Sequence, residues 1–191
     1  MDQINEIMNG NHHIDVDNLI VRTQKEDNRN KRLMNAIFIL YLVCSILYAA
    51  LFLLNPDPEL TLMDRMAGMC YVLAFVTGSF FFRREYLIYK KMDYSIPLLQ
   101  LLEKTEKRYR FFTRKFLPVL VIVTLIDMGI SITFMNGRHL QSFSITEKFF
   151  MIQAVYWGLM FTSGFIGYLI WRKRSYPIWK DSKTLLSELK D

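Results

Sequence analysis

Asp127 is the one Asp, Glu, Lys, Arg or His that falls inside any of four long apolar runs in this chain. Thr124 lies three residues before it and Ser131 four residues after it, so on a helix the three form a thin polar stripe on one face. By rise per residue, Asp127 sits about 12 Å from the nearer end of its run. An ionisable group at such a position has two uses. It can hydrogen-bond to a neighbouring helix and hold it, or it can couple the movement of protons or cations. Ser45 and Tyr48 in the first run and Tyr156 in the fourth fall at a similar depth and are its candidate partners. With one acid standing alone, the structural use is the first expectation and transport through an oligomer the alternative.

Other chemistry is scarce. His12 and His13 lie near Asp15 and Asp17, but adjacent histidines in a polar, glycine-containing terminus lack the fixed geometry that a metal requires, and His139 lies in a short loop. The sequence has no glycine-rich phosphate loop, no Ser-His-Asp set and no Cys-x-x-Cys pair. No cofactor, no enzymatic activity and no nucleic-acid partner are therefore expected. Cys44 and Cys70 fall in the first and second runs at depths of about 15 Å and about 6 Å, a mismatch that argues against a disulfide between them.

The elements that must position Asp127 are the runs themselves: residues 33–54, 66–82, 116–135 and 149–171. About 20 apolar residues in a helix cross a hydrocarbon core of roughly 30 Å. A soluble amphipathic helix would show a polar stripe along its length, and these runs do not. The second run is short, and Arg83 and Arg84 can complete it by carrying their charges to the headgroups on apolar stems. The expected fold is all-α, a bundle of four transmembrane helices with a helical hairpin between helices 2 and 3. Small residues at Ala74/Gly78, Ala154/Gly158 and Ser163/Gly167 are spaced for close helix approach.

Of the 24 Lys and Arg residues, 21 lie before the first run, between the second and third, or after the fourth, and three lie in the other two loops. The positive-inside rule then places both termini and residues 83–115 in the cytoplasm. This layout resembles that of small bacterial inner-membrane proteins of regulatory or unknown role, which implies the same membrane here.

Residues 83–115 hold ten of the basic residues. Leu98, Leu101, Leu102, Thr105, Tyr109, Phe112 and Phe116 recur every three or four residues, the pattern of an amphipathic return helix, with Ser95 a candidate N-cap and Pro97 in the first turn. Arg83, Arg84, Lys90, Lys91, Lys107, Arg108, Tyr109, Arg110 and Phe112 form a candidate docking surface for anionic headgroups or a cytoplasmic protein. Residues 1–32 read as a cytoplasmic segment whose helix, with Ile20, Gln24, Asp27 and Lys31 on one face, is a solvated or headgroup-level extension. Residues 172–191 read as an interfacial tail anchored by Trp171, Tyr176 and Trp179, with Asp181 or Ser182 capping a short helix. The expected role is that of a non-enzymatic membrane protein that regulates or tethers through its basic cytoplasmic surfaces, with self-association possible through the spans.

Overall fold

The structure is a computed structural model that describes residues 15–57, 60–111, 116–136 and 144–190. Phe112, His12, His13 and His139 lie outside the described residues. Among those described there are five helices and no strand: α1 (Val16–Tyr48), continued by a π-helical stretch (Ala49–Leu54), α2 (Leu62–Lys90), α3 (Leu98–Tyr109), α4 (Phe116–Asn136) and α5 (Ile145–Glu188). Four of them, all but α3, are long and apolar enough to cross a membrane.

Helix ends follow local chemistry. Asp15 Oδ1 accepts from the backbone N–H groups of Asp17 and Asn18, capping α1. Thr61 and Asp64 cap α2 reciprocally, the Thr61 N–H donating to Asp64 Oδ2 at 3.0 Å and the Asp64 N–H to Thr61 Oγ1 at 3.2 Å. Ser144 and Glu147 do the same for α5. Pro118 stands in the first turn of α4, where a missing N–H leaves no helical bond unmade. Ser95 does not cap α3. Pro97 is the N-cap, and the Ser95 N–H and Oγ–H both donate to Asp93 Oδ1 instead.

The chain divides into two compact units. An apolar unit holds Asn30–Lys90 and the later described residues 116–136 and 144–168. In it Gly78 faces the ring of Tyr41 so closely that a Cβ there would overlap Cδ1, and a Cβ at Gly68 would overlap the Phe52 side chain. Lacking side chains, these positions let α1 and α2 pack backbone to ring. Gly129 likewise receives Tyr71, joining α2 to α4. The glycines of α5 differ: a Cβ added at Gly158, Gly164 or Gly167 would meet nothing within 4 Å among the described residues.

A polar unit holds the residues up to Arg29, Lys91–Phe111, and those from Leu169 on. Its core is Leu19 of α1, Leu102 and Tyr109 of α3, and Ile178 and Leu185 of α5, with Val16, Leu98, Trp179 and Leu186 packed around them. Two expectations are corrected here. The N-terminal helix is not solvated on every face, because Leu19, Thr23 and Asp27 repeat every four residues and all are buried. The tail is not a short separate helix either, because α5 runs unbroken through Pro177 to Glu188. Ser182 is fully buried inside α5, and Asp181 pairs with Arg22 at 3.3 Å.

Candidate functional site

Two polar clusters stand out, one in each unit. In the apolar unit, α4 presents Asp127 and Ser131 one turn apart, and α5 presents Gln153. The Gln153 side-chain amide donates to Asp127 Oδ1 at 2.9 Å and to Ser131 Oγ at 3.0 Å. Its carbonyl Oε1 accepts from the Trp157 indole N–H at 2.9 Å. One amide thus uses both of its faces, and a continuous chain of hydrogen bonds ties α4 to α5. Tyr156 strengthens the same junction by donating to the backbone carbonyl of Val123 at 2.6 Å.

Of the residues grouped with Asp127 by depth, Ser131 joins its network through Gln153. Thr124 is exposed and turns its hydroxyl to the Leu120 carbonyl of its own helix. Tyr48 sits among the rings of Phe52, Tyr71 and Phe75, and Ser45 lines a separate cavity on α1 and α2. The partner that sequence reasoning passed over is Gln153. Its signal was present: a glutamine within the fourth apolar run needs an interhelical partner, as Asp127 does.

The polar unit holds the better-buried cluster. The Asp27 and Arg108 side chains are 2% and 4% exposed and form an ion pair. Asp27 Oδ2 also accepts from Tyr94 Oη–H at 2.7 Å, and Oδ1 accepts from Tyr109 Oη–H at 2.7 Å. A carboxylate taken out of water is tolerable only when its lone pairs are satisfied, and a guanidinium with two phenols does that. Arg108 and Tyr109 had been grouped with an exposed docking surface. The structure turns both inward instead: Arg108 pairs with the acid that α1 buries, and Tyr109 joins Tyr94 in donating to it.

The tail closes on α3 through its indoles. Trp171 Nε1–H donates to the Tyr109 carbonyl at 2.9 Å, and Trp179 Nε1–H to Glu106 Oε1 at 3.2 Å. Tyr176 contacts both rings, edge-on to Trp171 and tilted against Trp179, and stays 38% exposed. Indole N–H groups that a headgroup interface would leave to water or phosphate are here bonded to protein. Lys190 adds an exposed pair with Glu103 at 2.8 Å. Among the side chains that the unit leaves to solvent are four cations of the segment 91–111, Lys91, Lys104, Lys107 and Arg110. In the apolar unit, Arg83, Arg84 and Lys90 are exposed too.

Tyr94 titrates well above the usual tyrosine range. Burial is the larger cause, followed by its hydrogen bond to Asp27 and that carboxylate's charge. A folded-state pKa above the unfolded value near 10 means the stabilisation is complete below about pH 10 and is lost as pH rises beyond it. Urea unfolding of the full chain, followed by tryptophan emission, should therefore show a stability loss setting in above about pH 10. Tyr94→Phe should shrink that loss, and an unchanged alkaline slope in the variant would place its origin elsewhere.

Among the described residues no three His, Cys, Asp or Glu come together as metal ligands. No protein family, curated protein or solved structure matches the chain.

Proposed function

We propose that this is a non-enzymatic integral membrane protein that regulates or tethers a cytoplasmic protein through the basic surface of its polar unit. One observation carries the reading. Three segments distant in sequence are held together by a buried ion pair, two tyrosine hydroxyls and two indole donors, while Lys91, Lys104, Lys107 and Arg110 remain in solvent. A presented surface gains affinity when its scaffold is ordered beforehand, since less freedom is lost on binding. The basic asymmetry of the sequence puts that surface on the cytoplasmic side, in a bacterial inner membrane by its layout, and gives it charge complementarity to an acidic partner or to anionic headgroups.

The test is purification in mild detergent, with the soluble proteins that accompany the chain identified. A stoichiometric cytoplasmic protein should co-purify, and Lys107→Glu with Arg110→Glu should release it while leaving the fold intact, because both side chains are exposed. A lone homo-oligomer, or a partner retained by the double variant, would overturn the reading. A second reading, transport through Asp127, draws on the Asp127–Gln153–Ser131 network in the membrane-spanning helices.

A further inference from the structure

The apolar unit contains a cavity of about 310 Å³ that neither cluster uses. It is lined by Phe38, Leu42 and Ser45 of α1 and by Val76, Ser79 and Arg83 of α2. This size is at the lower end of small-molecule sites, roughly 300–1,000 Å³. Its polarity is graded along α2. Arg83 stands at one end, with its guanidinium carbon 5.9 Å from the centre of the Phe38 ring and its charge exposed. One turn further in, Ser79 is 7% exposed, and its buried Oγ has no hydrogen-bond partner among the described residues. Apart from Ser45, the rest of the wall is apolar: Phe38, Leu42, Val76 and Phe80.

From this cavity we infer a binding site for one anionic glycerophospholipid, whose phosphate is held by Arg83, whose ester carbonyl accepts from Ser79, and whose acyl chain lies along Leu42 and Val76. Each part answers a feature of the site. A guanidinium is weakly hydrated and shaped to pair with phosphate, and the aromatic face of Phe38 supports it from behind. A buried hydroxyl without a partner is costly to leave so. A side chain with a single rotatable bond can bring that hydroxyl to an acceptor seated in the cavity. Arg83 and Ser79 are four residues apart, so by helix rise they are separated by about 6 Å along the axis. Glycerol separates a phosphate from its ester carbonyl on that scale. A free anion would use Arg83 alone and leave the apolar wall uncovered. A fatty acid would bring its charge and its carbonyl to the same point, and so could not reach both groups. The site is independent of the tethering role, since its residues all belong to the apolar unit.

The test uses the full chain in nanodiscs made from equal parts phosphatidylglycerol and phosphatidylcholine, with retained lipid counted by native mass spectrometry after transfer to mild detergent. Wild type should keep one phosphatidylglycerol per chain in preference to phosphatidylcholine. Arg83→Gln should weaken that retention about tenfold, the usual worth of one charge-assisted hydrogen bond. Arg32→Gln, which changes a nearby exposed cation of α1 outside the cavity, should not. An ether-linked phosphatidylglycerol lacks the ester carbonyl. Wild type should hold it several-fold less well than the ester lipid, whereas Ser79→Ala should hold the two alike. Both variants are mild, since Arg83 is exposed and Ser79→Ala removes a single atom. Equal weakening by Arg32→Gln would reduce the effect to a basic surface, and a Ser79→Ala protein that still prefers the ester would remove the carbonyl contact. Displacement of the lipid by inorganic phosphate would mark a site for free anions. Any of these three results overturns the assignment.

Discussion

Arg108→Met should destabilise the polar unit by about 3–5 kcal/mol, the largest effect expected of any single change outside the apolar core. The side chain being replaced is 4% exposed and pairs with an acid that is 2% exposed. Removing the cation leaves the Asp27 carboxylate in the interior with only two phenolic donors. The loss should be read by hydrogen exchange at the backbone amides of α3, which should quicken while amides in α2 and α4 stay protected. Asp27→Leu combined with Tyr94→Phe, Arg108→Met and Tyr109→Phe should recover most of the loss, because a matched apolar set removes the desolvation penalty along with the ion pair. A single Arg108→Met with no effect on α3 would mean that the pair is not what holds the unit. A quadruple variant as unstable as the single one would mean that the cluster fixes a conformation rather than a stability.

The spans were readable because length and apolarity are a one-dimensional signal. Four runs without a polar stripe along their whole length became four helices long enough to cross a bilayer. The amphipathic helix α3 was readable for the same reason: Leu101, Leu102, Thr105 and Tyr109, picked out by their spacing, are all buried. The polar unit was not readable as a unit. Its α1 wall is Leu19, Thr23 and Asp27, a stripe with one apolar member, and it becomes core only because Arg108, Tyr94 and Tyr109 arrive from 67 to 82 residues away to satisfy the acid. A search for apolar periodicity settles on the neighbouring face through Ile20 and finds nothing. The packing of the tail on α3 was hidden in a related way. Trp171, Tyr176 and Trp179 have the composition of an interfacial belt, and sequence carries no sign that the indole donors will find Glu106 and the Tyr109 carbonyl. At Asp127 the site residue was legible by its charge. Its partner Gln153 was overlooked because an uncharged amide does not interrupt an apolar run.

Asp127 separates the structural use from the transport use, and the geometry now sharpens the test. The carboxyl accepts from the Gln153 amide, and the same amide is held by Ser131 and by Trp157. Asp127→Asn keeps a carbonyl oxygen as acceptor and removes the titratable proton. If the cluster only fastens α4 to α5, the Asn variant should match wild type in thermal stability, measured in detergent by loss of helix signal. Asp127→Leu should then be the damaging change, by about 1–3 kcal/mol, since it strands one N–H of a part-buried amide. Gln153→Leu should cost a similar amount, and the double variant little more than either alone, because both single changes break the same bond. Under the transport use, Asp127→Asn would instead stay stable and abolish a proton- or cation-coupled flux in reconstituted vesicles, while Gln153→Leu would leave part of that flux. The hydrogen bonds favour fastening: the amide is committed on both faces, and a carboxyl that must release and rebind a cation on each cycle would have to break that commitment every time. A stable Asn variant that has lost a measurable flux would overturn this conclusion.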